Sequence, residues 1–354
     1  MYQPKLSDLP SILTFNDGNK VKTIEQWESK RRGEIYNLFA DYVYGRIPEI
    51  ETEVSHTKER CDTGEIIEYH IVITTRTKFG SHSFDAWISV PKTKTPCPVF
   101  ELIQFPYQET SIIKEKLLRW GYAFARFYYV DVCTDDNNDF STGLHAVMKE
   151  PDGIRKNNSW GAVASWAWAA SRLMDIIETI PEIDSSRAAI VGHSRTGKAA
   201  LWCGASDNRF NLICSNESGC AGTAITRGKP GEHIKDICRG FPCWFCSNYK
   251  QFAEDEEHMP FDQHMLLSLC APRFLYVPSA LDDTWSGPIA EFLSALYVGE
   301  IYKLYGKQPL GLDEFPIVDT VDQSGSVAYH LRRGGHSLSP YDWDEFIRYA
   351  NKVL

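Results

Sequence analysis

The chain has 354 residues, 43% of them hydrophobic, and a formal net charge of −10. This length and apolar content suffice for a large core, in one domain or in one domain with an extension. The sequence has no long basic block, and no apolar run approaches the roughly 20 residues of a membrane span, so we expect neither nucleic acid nor a membrane as a partner.

The sequence pattern of residues 1–94 predicts an extension that precedes the main part of the fold. The opening segment MYQPKLSDLPSILTF lacks the apolar stretch of a secretory signal, which leaves a cytoplasmic location, or a secreted or periplasmic one if a signal is missing from this chain. Residues 22–44 carry apolar side chains at helical spacing and predict a helix. Residues 65–75 and 82–91 alternate between polar and apolar side chains and predict antiparallel strands. We interpret residues 1–94 as an N-terminal helix and antiparallel strands packed on the domain.

From residue 97 onwards, predicted strands and helices alternate. The predicted strands are 97–105, 122–132, 188–192, 210–218, 273–280 and 326–333. The predicted helices are 111–121, 160–180, a helix from 194, 288–306 and 340–354. This alternation is typical of a mostly parallel sheet covered by helices on both faces. We therefore predict an α/β fold, a three-layer sandwich with a mostly parallel central sheet, in a single domain over 1–354.

Ser194 stands between a predicted buried strand and a predicted helix, in the segment IVGHSRTGKAALW. Such a crease presents the hydroxyl at the C-terminal edge of the sheet, and the helix N-terminus beside it favours developing negative charge. The pattern is that of a nucleophile elbow, in which the small Gly192 permits the tight turn. The second glycine, Gly197, comes one residue later than in the usual G-x-S-x-G motif. The alternative is that Ser194 only caps the helix.

A serine nucleophile needs a base and an acid that orients the base. On a sheet of this kind the expected chain order is serine, acid, histidine. His336 lies in a loop between the last predicted strand and the last predicted helix, and it is the candidate base. His193 adjoins the serine but is a poor base, because adjacent side chains diverge on a tight turn. Glu217 lies at the end of one predicted strand and Asp283 follows the next, and the two compete for the role of the acid.

Several segments carry a family resemblance along nearly the whole chain. They are DGNKVKTIEQWESKRRGEIYNLFADYVYGRIP, GHSRTGKAALWCGASDNRF, SNESGC, FPCWF, PFDQH, APRFLYVPSALDDTWSGP and GGHSLSPYDW. Together they resemble the glucuronoyl esterases, carbohydrate esterase family fifteen, of the bacterial type. The resemblance implies an α/β-hydrolase fold and no cofactor or metal. It implies hydrolysis of glucuronic acid esters, such as 4-O-methyl-glucuronoyl esters of xylan or smaller uronate esters, through a Ser-His-acid triad and an acyl-enzyme.

The resemblance also suggests roles for the triad residues by position. Ser194 matches the nucleophile and His336 the base. Glu217 matches the acid of fungal members, and Asp283 matches the acid of bacterial members, so the choice between them stays open. We prefer Glu217 as the direct partner of His336, because it lies in the intact SNESG segment, with Asp283 as a contributor.

Further residues match positions that contact the substrate in the family. Arg195 matches an arginine that stabilises the oxyanion, and a donor of this kind contributes roughly 3–4 kcal/mol. Lys198 and Trp285 match residues that contact sugar hydroxyls, and Glu232 matches a further sugar contact. The loop after residue 105 departs from the family, because Pro106 replaces the usual glycine–asparagine pattern and has no N–H to donate to an oxyanion.

Two other functions remain as alternatives. An acetyl xylan esterase, or another carbohydrate deacetylase, shares the triad but has no need for a charged sugar-side residue such as Lys198. A catalytically silent carbohydrate-binding relative is disfavoured, because this chain keeps every triad member. The acidic stretch at residues 131–140 lacks the alternating ligand spacing of a calcium loop, so we predict no metal. The sequence leaves the oligomeric state open.

Overall fold

A ten-stranded mixed sheet forms the centre of the protein in a computed structural model that describes residues 4–135 and 140–354. Part of the acidic stretch, residues 136–139, lies outside the described residues. The strands are β1 (Glu53–Asp62), β2 (Ile66–Thr77), β3 (Gly80–Pro91), β4 (Cys97–Gln104), β5 (Ala123–Tyr128), β6 (Ile183–His193), β7 (Phe210–Asn216), β8 (Phe274–Ala280), β9 (Thr320–Asp322) and β10 (Val327–Arg332). Their order in the sheet is β1-β2-β3-β5-β4-β6-β7-β8-β10-β9.

The predicted mostly parallel α/β sheet is confirmed. The six strands β5, β4, β6, β7, β8 and β10 are parallel to one another, whereas β1, β2, β3 and β9 pair in antiparallel fashion. The central strands are buried on both faces, as parallel strands covered by helices are, and this explains their continuous apolar sequences. Their C-terminal ends meet at one edge, where β6, β7, β8 and β10 lie side by side.

Helices cover both faces of the sheet. They are α1 (Ile24–Gln26), α2 (Arg32–Tyr42), α3 (Ser111–Arg119), α4 (Tyr129–Val132), α5 (Gly143–Val147), α6 (Ala162–Ile177), α7 (Arg195–Ser206), α8 (Ile234–Gly240), α9 (Gln263–Ser268), α10 (Pro288–Tyr297), α11 (Gly299–Leu304) and α12 (Pro340–Val353). A π-helical turn, Trp27–Arg31, joins α1 to α2, and 3-10 turns span Leu6–Asp8, Ser247–Phe252 and Glu256–His258.

Two hydrophobic clusters fill the space between the sheet and these helices. One contains side chains of α3 and α12, and the other contains side chains of α6, α7 and α10. On β4, Phe100 belongs to the first cluster and Val99 to the second, as expected when successive strand residues point to opposite faces. The result is three layers. No helix among the described residues is both long enough and apolar enough to cross a membrane.

The N-terminal strands extend the sheet and do not simply pack against it. Residues 86–89 of β3 pair with residues 124–127 of β5, so β1, β2 and β3 continue the central sheet. Side chains of α2, such as Ile35 and Phe39, enter the larger hydrophobic cluster. We propose that the chain forms one domain, on the support of this continuous sheet and shared core.

Three local predictions differ from the structure. No strand was predicted over β1. The predicted strand 122–132 ends at Tyr128, and its last residues form α4. The predicted helix 288–306 is divided at Val298 into α10 and α11. Four free cysteines, Cys203, Cys214, Cys220 and Cys270, are buried, and Cys238 is half-buried.

Candidate active site

Ser194 occupies a strained turn at the C-terminal edge of the sheet, between β6 and α7. Its φ is 55° and its ψ is −124°, a region that residues with a side chain rarely adopt. The turn is so tight that a Cβ atom on Gly192 would lie 2.0 Å from the carbonyl oxygen of Thr196. The Ser194 side chain makes no capping hydrogen bond to α7, which argues against a mere helix cap. The serine therefore has the conformation of a nucleophile elbow.

His336 lies in the loop between β10 and α12 and faces both candidate acids. Its Nδ1 atom is 2.6 Å from Asp283 Oδ2 and 3.3 Å from Glu217 Oε2. The two acids follow the neighbouring strands β7 and β8, as expected. Asp283, and not the Glu217 preferred from the sequence, makes the shorter contact, and the assignment of the triad acid stays a prediction.

The two oxygens of Glu217 are occupied by other donors. Oε1 accepts from the guanidinium of Arg332, and Oε2 accepts from the backbone N–H of Ser337 at 2.8 Å. Arg332 also donates to the backbone carbonyls of Arg333, Gly335 and Ser337 around the histidine. Glu217 and Arg332 together hold the loop that carries His336.

Burial and charge shift the pKa values of this cluster in different directions. Burial raises the pKa of Glu217 to about 7. Burial also disfavours the charged form of Asp283, but hydrogen bonds from His336 and Ser286 prevail and lower its pKa below the usual value. For His336, burial favours the neutral ring, yet its hydrogen bonds to Asp283 and Glu217 prevail and raise its pKa to about 9. Asp283 is therefore the carboxylate best suited to stabilise a protonated His336.

The nucleophile and the histidine are held together through Asn216. Its carbonyl oxygen accepts the Ser194 N–H at 2.9 Å, and its side-chain nitrogen donates to the Ser337 carbonyl at 2.9 Å. The rings of His193 and His336 lie 4.4 Å apart. Within the described residues no hydrogen bond joins Ser194 Oγ to His336, and catalytic hydrogen bonds often tighten only when substrate binds.

His193 does not compete with His336 as the base. Burial, followed by the charge of His336, lowers the pKa of His193 to about 3, and its Nδ1 lies 2.9 Å from the side-chain nitrogen of Asn216. It is therefore a neutral ring that packs beside the base, in agreement with the sequence argument.

The residues assigned to the sugar are Lys198, Glu232 and Trp285. Lys198 is 3% exposed, and its Nζ donates to the carbonyl oxygen of Ser218. Burial lowers its pKa, an effect that the nearby carboxylate of Glu232 opposes. The Glu232 N–H donates to the carbonyl oxygen of Trp285 at 3.0 Å. Trp285 itself is 55% exposed, so its indole is accessible to a ligand.

Arg195 extends over the ring of Trp244, with its Cζ atom 4.6 Å from the ring centroid. Its Nη1 donates to Asp135. Sequence reasoning identified Arg195 but missed Asp135, Arg332 and Asn216. Asn216 immediately precedes Glu217, and Arg332 lies four residues before His336, so both are adjacent to predicted site residues. Asp135 had no such signal, because 60 residues separate it from Arg195.

One group of ligand-type side chains occurs among the described residues. Single ligand atoms of His193, Glu217 and His336 all lie within 4.8 Å of one another. However, the Arg332 guanidinium binds one oxygen of Glu217 and the Ser337 N–H binds the other. A metal cation there would face that guanidinium and displace these bonds. The arrangement suits proton transfer better than metal binding.

Comparisons with known proteins agree with this geometry. A family model described as glucuronyl esterase, fungi, matches residues 73–306. The chain is 36% identical to "Carbohydrate esterase MZ0003" of an unknown prokaryotic organism, over 97% of this chain and 89% of that protein. It is 28% identical to a 4-O-methyl-glucuronoyl methylesterase of Schizophyllum commune, over 85% of this chain and 74% of that protein. The solved structure of a glucuronoyl esterase from Solibacter usitatus matches with a TM-score of 0.86 and 34% identity, over 97% of each chain.

Proposed function

Because the chain belongs to the glucuronoyl esterase family and shares its α/β-hydrolase fold, we propose that it is a serine-type carbohydrate esterase that hydrolyses esters of glucuronic acid. The observation that carries the proposal is the strained Ser194 turn, which lies beside a histidine held by two carboxylates. Its substrates are 4-O-methyl-glucuronoyl esters of xylan or smaller uronate esters.

The reaction follows from the positions of these groups. Ser194 Oγ attacks the ester carbonyl while His336 accepts its proton, and Asp283 stabilises the charged imidazolium. The Arg195 backbone N–H and guanidinium meet the negative charge on the carbonyl oxygen. The alcohol then leaves with the proton from His336, and an acyl-enzyme remains on Ser194. Water, deprotonated by His336, releases the uronic acid and restores the serine.

Recognition of the sugar depends on Lys198, Glu232 and Trp285. A buried ammonium with one N–H bonded to Ser218 retains two donors for hydroxyl oxygens. Glu232 supplies a carboxylate beside that ammonium, and the exposed indole of Trp285 can pack on a sugar face. The charged pair of Lys198 and Glu232 favours a uronate ester over an acetyl ester, because the acetyl group has no hydroxyl to hydrogen-bond with either side chain.

We expect the enzyme to prefer a uronate ester by at least about 100-fold in kcat/KM, because a site built around polar donors discriminates strongly against ligands that leave them unpaired. The test compares purified enzyme on benzyl glucuronate, acetylated xylan and p-nitrophenyl acetate. Lys198→Met should reduce kcat/KM on benzyl glucuronate, while Lys303→Met, a change of an exposed lysine on α11, should leave it unaltered. Faster release of acetate from acetylated xylan than of benzyl alcohol would identify a deacetylase instead.

We also expect kcat/KM to rise with pH up to about pH 9. His336 accepts the serine proton only when neutral, and its pKa is raised to about 9 by Asp283 and Glu217, while neutral His193 adds no charge. The rate should therefore increase about tenfold per pH unit below this value and level off above it. In Asp283→Asn the His336 pKa falls, so the break in the profile should move to lower pH. The Ser194→Ala protein provides the background of spontaneous hydrolysis. An unmoved break in Asp283→Asn would show that Asp283 does not set this pKa.

A further inference from the structure

We propose that Asp135 is a positioning residue for Arg195, which it holds in the orientation that the oxyanion requires. The inference rests on the proposed esterase function, since it assigns a role to the residue that binds Arg195, the proposed oxyanion donor. Asp135 lies after α4, which follows β5, a strand that carries no triad residue. Among the described residues, Arg195 is the predicted site residue to which Asp135 hydrogen-bonds.

The Asp135 carboxylate accepts hydrogen bonds from groups on both of its sides. Its Oδ2 accepts from Arg195 Nη1 and from the hydroxyl of Tyr129 at 2.8 Å. Its Oδ1 accepts from the indole N–H of Trp244 at 2.6 Å. Both oxygens are therefore fixed from different sides, and the carboxylate is 15% exposed. Such a group has little freedom to rotate and can serve as a fixed anchor.

The guanidinium that Asp135 holds is also bracketed by aromatic rings. Its Cζ atom lies 4.6 Å from the ring centroid of Trp244, 5.2 Å from that of Phe241 and 5.7 Å from that of Phe105. Trp244 and Phe241 stack on each other with centroids 3.8 Å apart. Trp244 thus contacts both members of the pair, since its ring supports Arg195 and its N–H binds Asp135.

Asp135 anchors the Arg195 guanidinium at Nη1, and the other two nitrogens have no hydrogen-bond partner among the described residues. Within residues 4–135 and 140–354, Arg195 Nε and Nη2 have no hydrogen-bond partner, and Nε is buried. Arginine has five N–H donors in a rigid planar fork, so fixing Nη1 fixes the direction of all the others. Nη2, which has no partner among the described residues and is not one of the buried atoms, is the donor that can meet the charge on the carbonyl oxygen. A free arginine would instead sample many rotamers, and a misplacement of about 1 Å can cost about 100-fold in rate.

The substitution Asp135→Asn separates this role from simple packing. The three groups that bond to Asp135 within the described residues are donors, and an amide offers only one acceptor oxygen in nearly the same shape. We expect kcat to fall by about 10- to 100-fold on benzyl glucuronate and on p-nitrophenyl acetate, with KM changed by less than about threefold, since the guanidinium acts mainly on the transition state. The exposed Asp152→Asn change is the matched control and should leave kcat unaltered.

A double-mutant cycle with Arg195→Met tests whether the effect passes through the guanidinium. If it does, Asp135→Asn lowers kcat by less than about twofold once Arg195 is already methionine. An equal fall in both backgrounds would overturn the proposal, because it would mean that Asp135 acts on something else. The proposal would also be overturned if Asp135→Asn lowered kcat by less than threefold in the protein that keeps Arg195.

Two further measurements keep the result unambiguous. Tyr129→Phe removes one donor to Asp135 and leaves the buried ring, so it should cause a smaller fall, again only when Arg195 is present. If Asp135→Asn does not fold, as judged by thermal unfolding, this variant decides the question by the same cycle. Ser194→Ala tests the esterase function separately. If the Ser194→Ala protein is active, the proposed function is refuted. If the Ser194→Ala protein is inactive and the Asp135→Asn protein is fully active, only the role of Asp135 is refuted.

Discussion

Ser194→Ala is expected to lower kcat for glucuronate esters by about four to six orders of magnitude. Without the hydroxyl, no acyl-enzyme forms, and only the oxyanion donors and substrate binding remain to assist attack by water. The fold should be unaffected, because the side chain caps no helix end and alanine experiences the same backbone strain at a φ of 55°. The measurement is initial rate on benzyl glucuronate together with the midpoint of thermal unfolding.

Ser206→Ala is the matched control for this substitution. Ser206 ends the same helix, α7, at the edge of the sheet away from the nucleophile, and the one hydrogen bond of its hydroxyl to a described residue goes to the Trp202 carbonyl. We expect its kcat to equal that of the unaltered protein. Ser194→Ala activity within tenfold of the unaltered protein would rule out a serine mechanism, whatever the control does.

The nucleophile turn could be predicted from sequence because its determinants are local. Gly192, Ser194 and the apolar run before them are adjacent in the chain, and the turn depends on the absence of a side chain at Gly192. His336 could be predicted for a similar reason, since the chain order of strand, loop and helix places it at the sheet edge. The strand β1 could not be predicted in the same way. All ten of its residues are exposed, so the strand has no apolar face and no alternation for the sequence to display.

The contacts that orient the site were beyond sequence reasoning because they join distant residues. Asp135 meets Arg195 across 60 positions, and Arg332 meets Glu217 across 115. The pairing depends on where the loops settle after the sheet has formed. For the same reason the choice between the two acids could not be made. Both follow neighbouring strands, and only the three-dimensional arrangement shows that Arg332 and Ser337 occupy the oxygens of Glu217.

The two acids should therefore differ in what they contribute. Asp283→Asn is expected to lower kcat by about 10³- to 10⁴-fold, because the amide no longer stabilises the imidazolium or fixes the tautomer of His336. Its effect on thermal stability should be small, since Asp283 makes few other contacts. Glu217→Gln should lower kcat less, by about 10- to 100-fold, through displacement of the loop that carries His336.

Thermal stability should show the opposite order, with a larger loss in Glu217→Gln than in Asp283→Asn. The side chain of Glu217→Gln cannot accept from both the buried Arg332 and the N–H of the half-buried Ser337. Arg332 keeps its bonds to Asp342, so the loss should be about 1–3 kcal/mol rather than that of an unpaired buried charge. Thermal unfolding of Glu217→Gln, Asp283→Asn and the unaltered protein measures this difference directly.

The double variant decides whether the acids cooperate. With Asp283 removed, Glu217 is the only carboxylate in the described part of the chain that is left near His336 Nδ1, and its distance of 3.3 Å still permits it to stabilise the charged ring. Glu217→Gln should therefore cost more in the Asp283→Asn background than alone, so that the double variant approaches the activity of Ser194→Ala. If Glu217→Gln abolishes turnover at unaltered stability while Asp283→Asn remains active, Glu217 is the triad acid and the shorter contact of Asp283 is not the productive one. If neither substitution changes turnover, His336 works without an orienting acid, because no other carboxylate among the described residues contacts its Nδ1.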